Sequence, residues 1–219
     1  MEIDRLSLIM ELAEAFVGSQ GYDENAQQQQ NPVGEQLRLL GIDEFEISRL
    51  RRSGAKGLDI GCGDGGLVNA MILQGIDFIG IDDKAPDAFQ FIMQNVTGNY
   101  PHEGSIPSPN ESYDLVVAVQ NGTFNCAYGK DDPCEKCQEN GPPVIFEGMR
   151  VLKPQGRMVI FPNLYLGNGA FSRIVPDLKK QGITAVNEPV PEEYVRHHYA
   201  LRDSGYEERD LFRTVLTKV

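Results

Sequence analysis

The sequence predicts an α/β protein, a doubly wound and mostly parallel sheet with helices on both faces. Three observations carry this. Short apolar runs alternate with segments of helical period between residues 56 and 161, the order that builds a parallel sheet. The first apolar run passes straight into a glycine-rich turn, Gly61-Cys62-Gly63-Asp64-Gly65-Gly66, and a helix pattern follows. Two later runs lead into polar pairs, Asp82-Asp83 and Gln120-Asn121, at the carboxyl edge where open sheets of this kind bind ligands.

Taken in order, residues 3–16 place Ile3, Leu6, Ile9, Met10, Ala13 and Phe16 on one helical stripe. Residues 18–32, with Gln27 to Gln30 at their centre, read as a loop. Leu37, Leu40, Phe45 and Leu50 restore helical spacing over 34–52, as two helices broken near Gly41. A strand is expected over 56–60 and a helix over 64–74, the latter carrying Leu67, Ala70, Met71 and Leu73. A second strand follows over 77–82, and a helix over 86–97 with Ala88, Phe89, Ile92, Met93 and Val96. A short strand is placed near 101–106, a longer one over 113–119, a helix over 143–153 and a strand over 156–161. Beyond Pro162, a helix over 170–181 should be broken or capped near Pro176. Residues 183–186 and 211–219 are strand-like, and 191–205 are helical. The sum is one Rossmann-like domain over 1–219.

Composition narrows the function. No run of 18 apolar residues exists, so no membrane span is expected. Met1-Glu2-Ile3-Asp4-Arg5 lacks the basic and apolar parts of a signal peptide, which makes the cytoplasm the default address. A net charge of −12 argues against a nucleic-acid partner. The one basic cluster, Arg49, Arg51, Arg52 and Lys56, sits at a helix end, where cations complement the dipole. Cys62 lies in the glycine loop, where a small residue is wanted, and reads as a reduced thiol. Cys126, Cys134 and Cys137 occupy an insertion over 122–141. They fit thiols of an ordinary substrate loop, a zinc site completed by His197, His198 or Asp132, or a disulfide. The expectation carried forward is no metal.

Gly61-x-Gly63-x-x-Gly66 fits a dinucleotide fingerprint. Asp59, two residues before the first glycine, argues otherwise. A dinucleotide sets a pyrophosphate against this loop, and a fixed carboxylate would repel it. S-adenosylmethionine (SAM) brings an ammonium and a sulfonium, which a carboxylate attracts.

Asp59-Ile60-Gly61-Cys62-Gly63-Asp64-Gly65 resembles the first motif of class I SAM-dependent methyltransferases. Phe78-Ile79-Gly80-Ile81-Asp82 resembles that family's second strand, which ends in a ribose-binding acid. Tyr113 to Ala118 resembles its fourth, and Glu147 to Gly156 its "RVLKPGG" turn. The likeness covers about residues 55–163, with weaker support to the C-terminus. It implies SAM as cofactor, S-adenosylhomocysteine (SAH) as product, and a last strand antiparallel to the rest. It also implies a division into a helical N-terminal cap over 1–52, a SAM-binding core over 53–163, and a C-terminal part over 164–219. The cap either covers the cofactor pocket as a lid or simply packs on the sheet.

On this resemblance, Asp59, Gly61, Cys62, Gly63 and Gly65 form the cofactor loop. Asp82 accepts both ribose hydroxyls, with Asp83 beside it. Glu103, Gly104 and Ser105 meet the adenine, and Gln120 and Asn121 lie near the methionine end. Asn121-Gly122-Thr123-Phe124 departs from the Asn/Asp-Pro-Pro-Tyr/Phe motif of methyltransferases acting on amino groups of bases or glutamine. The implied acceptor is a small molecule or a protein side chain. His197 and His198 are adjacent on an expected helix, so at most one faces the cleft. No catalytic residue is assigned. The competing readings are a NAD(P)-dependent oxidoreductase, on the same glycines, and a non-catalytic SAM-binding module with the 122–141 insertion as its contact surface.

Overall fold

The computed structural model describes residues 33–63, 65–82, 96–97, 106, 108–119, 144–161, 170–195 and 212–219. Its strands are β1 (Lys56–Ile60), β2 (Asp77–Ile81), β3 (Val96–Thr97), β4 (Tyr113–Val119), β5 (Leu152–Phe161), β6 (Ile183–Pro189) and β7 (Phe212–Lys218). They form one sheet in the order β3-β2-β1-β4-β5-β7-β6. The first five pair in parallel, and β7 runs antiparallel to both β5 and β6. The helices are α1 (Val33–Leu40), α2 (Glu44–Ser53), α3 (Gly66–Leu73), α4 over 144–151, α5 (Ala170–Lys180) and α6 (Glu192–Val195). The doubly wound, mostly parallel sheet with an antiparallel C-terminal strand is thus observed.

Strand alternation sorts the core into two layers. Leu58, Ile60, Val116, Ala118, Met158 and Ile160 join α4 and α5 through Ile145, Met149 and Leu178. Leu115, Val117 and Val159 face the opposite side, against Leu37, Leu40, Ile47, Leu50, Leu67 and Met71 of α1–α3. Burying each Val, Leu, Ile or Met side chain among them contributes about 1.5–3 kcal/mol. Residues 33–53 therefore pack on the sheet as a wall. Residues 1–32, the rest of the expected cap, lie outside the described residues.

The break between α1 and α2 has a local cause. Gly41 adopts φ 66°, and Ile42 N–H donates back to the Leu37 carbonyl at 2.8 Å, a left-handed helix stop. Asp43 then caps α2, its carboxylate accepting the Glu46 N–H at 2.8 Å. Glu46 also holds α2 to the sheet, since its Oε1 accepts from Arg49 Nη2 at 2.7 Å and from Arg157 Nη2 of β5 at 2.6 Å.

Several expected boundaries move. The short edge strand is Val96–Thr97, paired with Gly80 and Ile81, whereas Ile106 is in no strand. The end of the helix expected over 86–97 is therefore extended; two β-branched residues favour strand, and the β2 edge supplies the pairing. Residues 83–95 and 101–105 lie outside the described residues. α4 stops at 151 rather than 153, because Pro154 disfavours helical backbone just before it. β5 leaves the ladder between the pairs Leu152↔Tyr113 and Arg157↔Leu115, and Gln155 turns the chain there with φ 63°. α5 runs unbroken through Pro176. Pro176 is exposed, and Ile174 and Leu178 are buried on either side of it, so packing outweighs the lost backbone bond. Of the helix expected over 191–205, Glu192–Val195 is helical and 196–205 lie outside the described residues.

Candidate functional site

β1 and β2 end side by side, with Ile60 opposite Ile81. The Ile81 carbonyl accepts the N–H groups of Gly61 at 2.8 Å and Cys62 at 3.2 Å. The chain then turns through Gly61, Gly63 and Gly65, with φ of 78°, 56° and 75°. Left-handed backbone at three positions is accessible to glycine at little cost. Gly65 N–H donates to the Cys62 carbonyl at 2.9 Å, closing the loop, and Asn69 N–H donates to the Gly65 carbonyl at 2.9 Å, starting α3.

Asp82 follows β2, and its Oδ2 accepts the Gly63 N–H at 2.9 Å. Asp82 thus latches the loop to the end of β2. Gly80 permits the close approach behind it, since a methyl group there would fall 2.6 Å from Cys62 Sγ. Cys62 is buried.

Asp59, expected in the cofactor loop, lies within β1 and is buried, at 3% exposure. It pairs with Val117 of β4, so it shares the face covered by α1–α3. Six of the predicted residues therefore converge at the carboxyl ends of β1 and β2, namely Asp59, Gly61, Cys62, Gly63, Gly65 and Asp82. Asp83, Glu103, Gly104, Ser105, Gln120 and Asn121 lie outside the described residues, as do Cys126, Asp132, Cys134, Cys137, His197 and His198. Among the described residues, no group of three His, Cys, Asp or Glu side chains could hold a metal ion.

Two residues that sequence reasoning left without a role stand at the end of α4. Glu147 and Arg150 form an ion pair at 2.9 Å, and both reach the loop before β4. Arg150 Nη2 donates to the Ile106 carbonyl at 2.8 Å, and Glu147 Oε2 accepts the Ile106 N–H at 2.8 Å. Arg150 Nη1 adds the Ser108 carbonyl at 2.9 Å and Asn110 Oδ1 at 2.8 Å. Hydrogen bonds from Arg150, with the Ile106 N–H behind them, outweigh burial and hold the Glu147 carboxyl below its ordinary range. The i,i+3 spacing of the pair was visible in the sequence; the loop it holds was not.

Lys153 of the same motif is also structural. Its Nζ donates to Asp114 Oδ2 at 2.8 Å, and the Lys56 N–H donates to the same oxygen at 2.8 Å. Burial opposes ionisation of Asp114, but these donors prevail and its pKa is lowered. A cavity of about 370 Å³ opens beside them, lined by Lys56, Asp77, Tyr113 and Lys153. It lies at the amino ends of the strands, the opposite end of the sheet from the glycine loop.

No protein-family model matches the chain. No curated protein matches it either. Solved structures similar to it include a SAM-dependent methyltransferase from Aquifex aeolicus, at 16% identity and TM-score 0.44, covering 89% of this chain and 97% of that one. A putative sarcosine dimethylglycine methyltransferase from Galdieria sulphuraria aligns at 20% identity and TM-score 0.48, over 90% and 91%. A TehB-like SAM-dependent methyltransferase from Corynebacterium glutamicum aligns at 21% identity and TM-score 0.49, over 86% and 100%. The glycine loop with its strand-end acid, the Lys153-Pro154 turn and the antiparallel β7 are the features of the doubly wound sheet that the sequence resemblance implied.

Proposed function

We propose that this protein is a SAM-dependent methyltransferase acting on a small molecule or a protein side chain. The observation that carries the reading is how the loop spends its donors. The N–H groups of Gly61, Cys62, Gly63 and Gly65 are all engaged inside the protein, on Ile81, Asp82 and Cys62. A diphosphate would have to take such donors, and here a carboxylate already holds one of them. Asp82 at the end of β2 suits a ligand that presents hydroxyls, and the buried Asp59 adds negative charge behind the loop, which favours SAM over a dinucleotide.

The fit has a steric side as well. The turn is built on glycines in left-handed backbone, so a ligand can approach bare main chain. Bound SAM would supply an electrophilic methyl group on sulfur and leave as SAH once the acceptor's lone pair has taken the methyl carbon. The chain's own task is orientation and exclusion of water. In this reading Asp82 receives the ribose hydroxyls while its latch on Gly63 holds the loop in shape. Asp59 places a carboxyl in the floor behind the loop. Asp83, Glu103 to Ser105, Gln120 and Asn121 complete the proposed pocket. The proposed place of action is the cytoplasm, and no helix among the described residues is long and apolar enough to cross a membrane.

Titration calorimetry with SAH tests the cofactor. Saturable binding is expected, weakened about tenfold or more in Asp82→Ala, the loss of hydrogen bonds to a charged group. Asp82→Asn retains an acceptor for the Gly63 N–H, so binding lost in that variant reports the ligand's share. A thermal shift with NAD or NADP and none with SAM would overturn the assignment. SAH binding without labelled methyl transfer into any cell-extract fraction would leave the cofactor reading and remove the enzymatic one.

A further inference from the structure

We infer that β6 is an association edge whose occupant is β6 of a second copy of this chain, paired antiparallel about a twofold axis through Val186. Among the described residues β6 is the outermost strand and pairs with β7 alone, over seven successive residues without a bulge. The other edge of the sheet, β3, is two residues long. Natural sheets blunt their edges by shortness, lysines, bulges or proline. β3 uses the first of these devices. β6 has no lysine and no bulge, and Pro189 stands only at its end.

The direction of the β6 backbone groups follows from its register. Val219 N–H donates to the Gly182 carbonyl at 3.0 Å, so this pair, one step beyond Ile183↔Lys218, is hydrogen-bonded. Hydrogen-bonded and non-hydrogen-bonded pairs alternate along an antiparallel ladder. Thr184, Val186 and Glu188 therefore turn their N–H and C=O groups to β7, and Ile183, Ala185 and Asn187 turn theirs outward. Thr214 Oγ1 donates to Asn187 Oδ1 at 2.9 Å, which suits the closer side chains of a non-hydrogen-bonded pair. Ile183 and Ala185 also pack in the cluster that holds α5 on the sheet, so the edge is ordered before any partner arrives.

The side chains select a second copy. Val186 is 55% exposed, whereas its ladder partner Val215 is buried. Val186 is also the midpoint of Ile183–Pro189, so a twofold axis through it pairs the strand with itself over its whole length. Ala185 then exchanges backbone bonds with the partner's Asn187, and Ile183 N–H reaches the carbonyl of the partner's Pro189. The two Val186 side chains meet in a non-hydrogen-bonded pair, where facing Cβ atoms are about 4.5–5.5 Å apart. Thr184 faces the partner's Glu188, a hydroxyl donor opposite a carboxylate. Charge does not oppose the contact. Glu188 is the one charged residue of β6, and Arg213 holds it at 2.8 Å, so the edge is neutral in a chain of net charge −12. β6 stands four strand spacings from β1, about 19 Å at ~4.8 Å each, which keeps the glycine loop clear of the contact.

Contacts of this size are weak, so the dimer should dissociate at about 10–100 µM. Sedimentation velocity of the full chain from about 1 to 500 µM should show exchange between one and two copies. Hydrogen exchange gives the register. The amides of Ile183, Ala185 and Asn187 should slow about tenfold in concentrated protein, while those of Thr184, Val186 and Glu188, bonded to β7, stay slow throughout. Val186→Lys and Val186→Glu each set like charges on the axis and should weaken association at least about tenfold. Mixing the two variants should recover it, since opposite charges then face each other, and recovery also shows that both fold. A wild-type monomer at every concentration would overturn the inference and leave the edge to a strand of another protein. A dimer undiminished in both variants, no recovery on mixing, or outward amides that exchange as fast in the dimer would each overturn it too.

Discussion

Gly80→Ala is the sharpest probe of the loop. An added methyl would lie 2.6 Å from Cys62 Sγ, 2.8 Å from Val68 Cγ2 and 2.9 Å from Cys62 Cβ. Carbon and sulfur atoms settle near 3.5–4.0 Å, so the glycine loop and the start of α3 must retreat from β2 by about 1 Å. Overpacking of this kind costs about 1–3 kcal/mol. Alanine recovers about 0.5 kcal/mol of strand propensity. The net loss is about 1–2 kcal/mol, or roughly 2–8 °C in melting temperature for a chain of this size. If the loop cradles a cofactor, a displacement near 1 Å should weaken SAH binding by up to about a hundredfold. Thermal denaturation and calorimetry measure the two effects separately. Cys62→Ala removes the sulfur that the new methyl meets, so the double variant should lose less than the sum of the singles, by about 0.5 kcal/mol or more. Wild-type stability and affinity in Gly80→Ala, or strict additivity in the double variant, would refute the close packing of loop on strand.

The other predictions concern stability. Gln155→Gly should stabilise the protein by about 1 kcal/mol in chemical denaturation, because Gln155 occupies φ 63° where glycine carries no Cβ penalty. Glu46→Gln leaves Arg49 and Arg157 facing each other without their carboxylate, and should cost about 2 kcal/mol; adding Arg157→Met should restore part of it. Acid sensitivity follows from three carboxyls. Glu46 is lowered chiefly by its bonds from Arg49, and Glu147 by those from Arg150; at Asp114 burial acts the other way, but Lys153 and the Lys56 N–H outweigh it. A lowered carboxyl contributes fully above its unfolded value, 4.5 for Glu and 3.8 for Asp, and that contribution is lost as pH falls through the lower folded value. Melting temperature should therefore be flat with respect to these groups above about pH 5 and fall on the acid side. Glu147→Gln should flatten that slope, and an unchanged slope would show that the Glu147 carboxyl is not ionised in the folded state.

Much of the fold was legible because its signals are local. The strand over 113–119 and the one over 56–60 were read at their observed ends, since apolar runs bounded by turn residues need no partner to be recognised. Gly41 marked the break between α1 and α2 for the same reason. Boundaries failed where tertiary contacts outvoted local propensity. Val96–Thr97 became an edge strand because β2 offered Gly80 and Ile81 to pair with. Pro176 stayed helical because Ile174 and Leu178 hold α5 on the core. At the carboxyl ends of β1 and β2, the turn-forming glycines were visible in the sequence, and Asp82 entered through the family resemblance. The depth of Asp59 was not visible, because strand alternation had to be combined with the α1–α3 layer to bury it.

By itself the sequence determined the kinds of element, their order and the glycines that let the chain turn after β1, because periodicity, β-branching and left-handed backbone are properties of neighbouring residues. The tertiary structure alone decided that Asp82 latches Gly63, 19 residues away, and that Glu147 and Arg150 grip Ile106 from 41 and 44 residues away. Those contacts depend on strand order and register, which bring distant residues to hydrogen-bonding distance, and no local pattern encodes that distance.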